Sequence, residues 1–366
     1  MKELIHFVKT NTVFIISFFA ALITSFIVTP DREYLGYIDF KTIASLFCVL
    51  AVVCALKNIN FFYLLALKTV EKFSTLRSAV TALVFVTLIG SMFIANDMAL
   101  LTFLPLGYII LCTTNNEKYM AFVFIMQNIA ANLGGMLTPF GNPQNLFLYT
   151  KFNIPNGKFV FTMFPSFILS VIIIGLLCMT LPKNELTVNA KKLSTNKKRA
   201  LIYLVLFTIS ILIVFRVFSY ILGVIVIFIS LLFLDKKALK MVDYPLLLTF
   251  VCFFIFSGNM ARIDVVKDFF EALLSKDELI VSTISCQFIS NVPSAILLSE
   301  FTNNYKELLV GVNIGGIGTL ISSLASLITF REYTNHNPGK SLSYIIKFSL
   351  YNFSILIILV LFAKIV

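Results

Sequence analysis

A long apolar part of this chain is interrupted by the polar, helix-breaking stretch Asn132-Leu-Gly-Gly-Met-Leu-Thr-Pro-Phe-Gly-Asn-Pro-Gln-Asn-Leu-Phe147. The interruption recurs, weakened, as Asn313-Ile-Gly-Gly-Ile-Gly-Thr-Leu-Ile-Ser-Ser-Leu-Ala-Ser-Leu-Ile328. Five of the sixteen positions are identical in the two copies: Asn132/Asn313, Gly134/Gly315, Gly135/Gly316, Thr138/Thr319 and Leu146/Leu327. A bilayer tolerates such an interruption only where it is buried in protein or lines a cavity. Two interruptions at corresponding places are typical of the binding site of a membrane carrier.

The composition also indicates a membrane protein. Of 366 residues, 59% are hydrophobic and 13% are charged, whereas soluble proteins carry about 25% charged residues. The excess apolar surface must therefore face a lipid bilayer. The formal net charge of +11 is spread over short loops between apolar segments. This distribution is typical of cytoplasmic loops beside anionic lipid, and it argues against nucleic acid as a partner.

Cysteine and histidine give no indication of a metal site. The six cysteines all lie in apolar segments and form no Cys-x-x-Cys motif, and the two histidines, His6 and His336, lie near segment ends. We therefore expect buried thiols that act as small hydrophobic groups. No cofactor is expected beyond a coupling ion, Na⁺ or H⁺.

Apolar segments long enough to cross a bilayer, about 20 residues each, define an all-α fold. Seven of them are uninterrupted: 11–29, 38–56, 158–181, 200–215, 217–234, 244–260 and 342–364. Two more, 119–149 and 306–330, contain the interruptions described above. We predict a polytopic membrane protein with about nine crossings. Residues 1–29 resemble a signal peptide, but no small-residue cleavage site precedes Asp31, so an uncleaved first helix is expected.

Two further apolar stretches, 78–112 and 278–302, carry a polar break in the middle. The breaks are Ala95-Asn96-Asp97 and Ser290-Asn291-Val292-Pro293-Ser294. We predict re-entrant hairpins that enter and leave on the same side of the membrane. Before each hairpin lies a stretch of mixed charged and apolar residues, 59–76 or 262–276, which is expected to lie along the interface.

The order of these elements predicts an inverted repeat. Spanning helix, surface helix, hairpin, broken helix and final helix follow one another in both halves of the chain. The chain crosses the membrane five times between the starts of the two halves, with hairpins counted as zero, so the halves have opposite topology. The predicted organisation is an N-terminal helix (1–37), a first repeat (38–181), a basic linker with two connecting helices (182–243) and a second repeat (244–366).

Lysine and arginine predict the orientation. The segment 182–199 is expected to be cytoplasmic because cytoplasmic loops are enriched in these residues, and it contains Lys183, Lys191, Lys192, Lys197, Lys198 and Arg199. This choice places the acidic stretch 262–276 outside. The expected localisation is the cell membrane, with a cytoplasmic amino terminus and an outside carboxyl terminus.

The hairpin tips and the broken-helix loops are expected to meet near the membrane midplane. Carbonyl groups released from a helix suit a cation there, and helix N-termini suit an anion. Short neutral polar side chains add ligands, and the substrate-binding candidates are Thr138, Asn142, Asn145, Ser294, Thr319 and Ser323. The other interpretation is that such side chains only cap or link helices.

Asp97 is the one carboxylate of the first hairpin, at its predicted tip. A charge at bilayer depth costs at least about 2.5–3.5 kcal/mol, which favours a cation-binding or proton-carrying role. The alternative is an N-cap of the following helix. No lysine or arginine lies in the two hairpin tips or the two broken-helix loops, and Arg216 and Arg331 are expected to anchor helix ends.

The chain resembles the ion transporter superfamily, which includes arsenite permeases, NhaD-type Na⁺/H⁺ antiporters and citrate-transporter-like permeases and is related to the divalent anion:sodium symporters. The segment Ala95-Asn96-Asp97-Met-Ala-Leu-Leu-Thr-Phe-Leu-Pro105 is similar to the Asn-Asp hairpin of arsenite permeases. Gly134-Gly135-Met-Leu-Thr138-Pro-Phe-Gly141-Asn-Pro-Gln-Asn145 resembles the superfamily signature Gly-Gly-x-x-Thr-x-x-Gly-[Ser/Thr]-x-x-Asn. Ser290-Asn291 and Gly315-Gly316-Ile-Gly-Thr319-Leu-Ile-Ser322-Ser323-Leu-Ala-Ser326 are the second copies.

This resemblance implies an elevator-type secondary carrier that forms a homodimer. It also places a coupling cation at each hairpin tip, with Na⁺ expected at Asn96, Asp97 and Gly141 and at Asn291 and Ser322.

From the residues and the resemblance together, we expect a secondary active permease for a small anion, such as a carboxylate or oxyanion, coupled to Na⁺ or H⁺. The alternative is a Na⁺/H⁺ antiporter without an organic substrate. An intramembrane enzyme is not expected, since the sequence has no His-Glu-x-x-His motif, no paired intramembrane aspartates and no Ser/His pair at membrane depth.

Overall fold

The computed structural model describes residues 11–185 and 195–366, and these residues form an all-α protein. Outside the helices, one isolated antiparallel bridge joins Thr75 and Glu185 in the described ranges. Part of the predicted basic linker, with Lys191 and Lys192, lies outside the described residues.

The α-helices follow the predicted segments closely. In chain order they are α1 (Thr12–Ile27), α2 (Tyr34–Tyr37), α3 (Phe40–Asn58), α4 (Phe61–Val70), α5 (Leu76–Ile94), α6 (Asn96–Thr113), α7 (Met120–Gly135), α8 (Pro143–Lys151), α9 (Asn156–Cys178), α10 (Lys197–Val214), α11 (Tyr220–Leu234), α12 (Lys236–Lys240), α13 (Tyr244–Ala261), α14 (Asp264–Leu274), α15 (Glu278–Ile289), α16 (Asn291–Leu298), α17 (Tyr305–Ile314), α18 (Leu324–His336) and α19 (Ser341–Ala363).

Six of these helices are long and apolar enough to cross a membrane: α3, α5, α6, α9, α13 and α19. Their outward side chains include many exposed large apolar residues, as a lipid-facing surface requires. The protein is therefore a multi-pass membrane protein.

The two hairpins differ in length. The arms of the first, α5 and α6, have 19 and 18 residues, and each is about 27 Å long or more at 1.5 Å per residue. The arms of the second, α15 and α16, have 12 and 8 residues. The prediction described both hairpins as re-entrant, entering and leaving on the same side of the membrane, and each arm of the first is long and apolar enough for a crossing.

Both predicted interruptions are present. The first lies between the end of α7 at Gly135 and the start of α8 at Pro143, and the second between the end of α17 at Ile314 and the start of α18 at Leu324. Proline at the first position of α8 costs no helical hydrogen bond, which makes Pro143 a favourable restart point.

The interface helices also differ from each other. Helix α14 is strongly amphipathic and buries only Leu274, in agreement with a surface position. Helix α4 instead buries Phe62, Ala66, Leu67 and Val70 and packs against α5 and α6. The first stretch thus contributes to the core, because its charged residues lie at its carboxyl end.

The packing follows one pattern in both halves. The first arm of each hairpin packs on the first part of the broken helix, α5 on α7 and α15 on α17. The second arm packs on the broken helix of the other half, α6 on α18 and α16 on α8. This crossed arrangement brings both hairpin tips and both loops to one place.

Candidate functional site

Each hairpin turns at a single residue with a strained backbone. Ala95 has φ 62° and ψ 149°, and Ser290 has φ 74° and ψ 159°. This region is essentially reserved for glycine, and such strain is held only where the surrounding structure fixes it. The two tips therefore need firm attachment to their neighbours.

The broken-helix loops provide that attachment through matching backbone hydrogen bonds. The N–H of Asn96 donates to the carbonyl of Gly141 at 3.1 Å, and the N–H of Asn291 donates to the carbonyl of Ser322 at 2.9 Å. At both tips the asparagine Oδ1 accepts the next backbone N–H at 2.9 Å, from Asp97 or from Val292. The structure thus brings Asn96 to Gly141 and Asn291 to Ser322, as the resemblance implied.

A second pair of contacts fixes the hairpin arm before each tip. The hydroxyl of Thr138 donates to the Met92 carbonyl at 2.6 Å, and that of Thr319 donates to the Gln287 carbonyl at 3.0 Å. Both acceptors lie four residues before the tip asparagine. The two threonines therefore hold the hairpins.

The two halves are joined by a buried cluster of asparagines. Asn313 accepts from Asn142 Nδ2 at 3.1 Å and donates to Asn145 Oδ1 at 2.6 Å. Asn132, its counterpart in the repeated segment, accepts from Asn96 Nδ2 at 3.1 Å. Sequence reasoning left Asn132 and Asn313 out of the site, although their identity in the two copies was a usable signal.

The first loop is packed too closely for any side chain at two positions. A Cβ at Gly135 would lie 2.2 Å from Asn142 Oδ1, and one at Gly141 would lie 2.4 Å from the Gly135 carbonyl. Asn145 then donates to three loop carbonyls, those of Gly135, Met136 and Thr138. The loop is therefore rigid and its carbonyls are held in fixed directions.

A cavity of about 580 Å³ opens between the two tips and the starts of α8 and α18. Four of the predicted site residues line it: Asn96, Asp97, Asn291 and Ser323. The other predicted residues lie behind this surface and bond to neighbouring protein groups, among them Ser294, whose Oγ lies 2.9 Å from Ser285 Oγ inside the second hairpin.

Asp97 is placed for a role other than capping. Helix α6 begins at Asn96, so Asp97 lies within its first turn and the N-cap position belongs to Ala95. The Asp97 Oδ1 atom is buried and has no hydrogen-bond partner. The N-cap interpretation therefore does not account for this carboxylate.

The cavity also contains polar residues that the sequence analysis did not place in the site, and three of them bear on its chemistry. They are Gln144, whose buried Oε1 has no hydrogen-bond partner, the N-cap residue Asp243 of α13, and Arg331. The prediction for Arg331 was a helix-end anchor, but it lines the cavity. A signal was available, because Leu324, Leu327, Ile328 and Arg331 have the spacing of one face of α18.

The donor atoms at the tips suit a hard cation better than a soft transition metal. They are carboxylate, amide and backbone oxygens, and the described residues contain no group of three or more His, Cys, Asp or Glu side chains arranged to hold a metal. In the first half the free Oδ1 of Asp97 adds a negative charge, which has no counterpart at Val292 in the second half.

Comparison with known proteins gives consistent matches. A family model described as citrate transporter (CitMHS) matches residues 4–305. The chain is 35% identical over 309 residues to the uncharacterized transporter MJ0456 of Methanocaldococcus jannaschii. The aligned part covers 83% of this chain and 84% of the relative. It is 27% identical over 313 residues to the inner membrane protein YbiR of Escherichia coli strain K12, which covers 84% of this chain and 83% of the relative.

Proposed function

The chain belongs to the citrate transporter family, and on this premise we propose that it is a secondary active permease for a small anion, a carboxylate or oxyanion, coupled to Na⁺ or H⁺. The family description makes citrate the first substrate to test. The observation that carries the proposal is the pair of strained hairpin tips, each bonded to a broken-helix loop, around one cavity.

The anion is proposed to bind at the starts of α8 and α18. The positive end of each helix dipole lies at the cavity there and favours a negative charge. Ser323 and Gln144 add polar groups, and Arg331 adds a full positive charge two turns along α18. Thr138, Asn142, Asn145, Ser294 and Thr319 are proposed to shape the site through the protein groups that they bond.

The coupling cation is proposed to bind at the first hairpin tip. Asp97 contributes the charge, and Asn96 and the Gly141 loop contribute neutral oxygens. The second tip, with Asn291 and Ser322, has only neutral groups, so we expect it to bind a cation more weakly. The unpartnered Asp97 carboxylate also supports the second candidate, a Na⁺/H⁺ antiporter without an organic substrate.

The larger-scale behaviour follows from the same proposal. We propose elevator-type movement of the two hairpins against the remaining helices, in a homodimer in the cell membrane, with the amino terminus cytoplasmic and the carboxyl terminus outside. A permease of this kind needs no catalytic residue.

Reconstitution in liposomes tests the proposal. Radiolabelled citrate and a panel of other carboxylates and oxyanions are offered with an inward Na⁺ gradient, an inward H⁺ gradient or neither. Uptake of one anion above the protein-free control, dependent on one of the gradients, supports the permease. Na⁺-driven proton movement without any anion supports the antiporter. If the protein shows neither activity, both proposals are overturned.

A further inference from the structure

A small second cavity connects Asp97 to another carboxylate. It has a volume of about 60 Å³ and is enclosed by α3, α6, α8, α13 and α18 with the loop residue Phe140. Among the described residues that line it, Asp97 and Asp243 carry the only polar side chains, and the others are apolar. Both aspartates also line the large cavity beside Gln144.

The two carboxylates differ in their surroundings. Asp243 is exposed, and its Oδ1 accepts the N–H of Leu246 at 2.9 Å as the N-cap of α13. The Oδ1 of Asp97 is buried and has no partner. Gln144, only 1% exposed, also presents a buried Oε1 without a partner in the same large cavity. Two oxygen acceptors at the large cavity, Asp97 Oδ1 and Gln144 Oε1, therefore have no hydrogen-bond donor.

Two carboxylates that share an apolar space repel each other when both are ionised. A bound cation or a shared proton removes this repulsion, and such a pair titrates as one unit. The small cavity is large enough for a cation or a few water molecules, since one water needs about 10–15 Å³ of such space.

We propose that Asp97 and Asp243 together hold the coupling cation, one H⁺ or one Na⁺, and that the exposed Asp243 exchanges it with the large cavity. This inference rests on the proposed function and deepens it by adding a coupling residue from outside both hairpins. The step is binding and release of a cation, with no covalent bond made or broken.

The other charged groups near the pair are few. Arg331 on α18 lines the large cavity and presents a positive charge to it. Lys57 at the end of α3 and Asp235 before α12 are also in this part of the protein, because both act electrostatically on Cys54, as Asp243 does. Asp235 already accepts hydrogen bonds from Asn58 Nδ2 at 2.9 Å and from the Tyr203 hydroxyl at 3.2 Å. These bonds stabilise its negative charge where it lies.

Asp39 provides a matched control for Asp243. It is the N-cap of α3, the first helix of the first repeat, and accepts the Thr42 N–H at 3.0 Å, as Asp243 does at the start of the second repeat. Asp39 lines neither cavity. Asparagine is about as good an N-cap as aspartate, so Asp39→Asn and Asp243→Asn preserve both caps and differ in the carboxylate at the cavity.

The experiment measures two kinds of transport in liposomes for wild type, Asp243→Asn, Asp243→Glu and Asp39→Asn. For Asp243→Asn we expect gradient-driven accumulation to fall at least about tenfold, because a charged partner is lost, while exchange of labelled for unlabelled substrate persists. Asp243→Glu should restore part of the accumulation, and Asp39→Asn should resemble wild type. The same series under an imposed H⁺ or Na⁺ gradient identifies the cation.

Asp243→Asn with wild-type accumulation and wild-type pH and Na⁺ dependence would overturn the inference, as would equal losses in Asp243→Asn and Asp39→Asn. Wild-type protein that transports nothing would instead overturn the proposed function. If Asp243→Asn does not fold, the pH and Na⁺ dependence of accumulation by Asp243→Glu decides. A carboxylate that holds the cation changes one of these two dependences when the side chain is lengthened, whereas a purely structural cap changes neither.

Discussion

Asp97 is the residue on which the coupling proposal depends. Replacement of Asp97 by asparagine keeps the size of the side chain but removes its charge, so gradient-driven uptake and its pH or Na⁺ dependence should be lost. Transport in proteoliposomes measures both. Asp264→Asn, on the exposed first turn of α14, is the control and should leave uptake unchanged. Undiminished, gradient-dependent uptake by Asp97→Asn would remove Asp97 from the coupling site.

Gly135 tests the packing of the first loop. In Gly135→Ala the new Cβ would lie 2.2 Å from Asn142 Oδ1 and 2.7 Å from the Gly141 carbonyl, so the loop must shift. We expect a loss of stability of about 1–3 kcal/mol with reduced uptake, measured by thermal unfolding in detergent and by transport. Gly157→Ala is the control, because its Cβ would meet nothing within 4 Å. Equal melting temperatures for the two variants would show that the loop is not tightly packed.

At the scale of single residues, the sequence identified the residue types, whereas their contacts needed the structure. Asn142, Asn145 and Thr319 were identified from the repeated segment, but the structure uses their side chains to bond carbonyls and amides of the protein. Whether an amide faces a cavity or a neighbouring loop depends on tertiary packing, which spacing along one helix does not contain.

The hairpin turn is the element whose geometry is most constrained. Ala95 has a φ of 62°, which costs about 1–3 kcal/mol for a residue with a Cβ. Ala95→Gly should therefore stabilise the fold, even after the cost of about 0.5–1 kcal/mol for the greater freedom of glycine in the unfolded chain. Thermal unfolding measures the change.

Ala82→Gly, in the middle of α5, is the control for this substitution and should destabilise the protein by about 1 kcal/mol. If Ala95→Gly destabilises the protein as much as Ala82→Gly does, the turn is not strained.

Among the elements, interruptions were predictable and lengths of hairpin arms were not. Glycine, proline and asparagine break a helix locally, so 136–142 and 315–323 follow from the sequence. The first hairpin was predicted as re-entrant from its polar break, and the structure gives its arms the length of a crossing helix. Asp243 escaped prediction for a related reason, since only the tertiary arrangement places the start of α13 at the same small cavity as Asp97.

At the scale of the whole molecule, contacts between chain segments separate into two groups. One group joins segments predicted to be cytoplasmic. Asn58 donates to Asp235, Arg77 donates to the Leu181 carbonyl at 2.5 Å, and the N–H of Leu76 donates to the Asn184 carbonyl at 2.8 Å. These contacts place the end of α3 beside the start of α12, and the segment after α9 beside the start of α5.

The second group joins segments predicted to lie outside. Arg262 pairs with Asp31 at 2.8 Å, and ion pairs also join Lys364 to Asp277 and Lys151 to Glu300. The hydrogen bond from Arg262 lowers the pKa of Asp31 below its ordinary value of 3.8. The carboxylate of this exposed pair therefore stays ionised at pH 3.8, and the pair is lost when the pH falls through the lowered pKa. Each of these six contacts joins two segments that are predicted to lie on the same side of the membrane. The inverted topology requires this.

Labelling of single cysteines tests this topology directly. In a background without the six native cysteines, Lys183→Cys should react with an impermeant maleimide only from the cytoplasmic side, and Lys267→Cys only from the outside. Both positions are exposed in the structure, so access is limited by the membrane and not by burial. Permeabilised cells provide the control, since both variants must then react. Reaction of both from the same side in intact cells would contradict the inverted repeat, because residues 183 and 267 flank an odd number of crossings only if the two halves have opposite orientation.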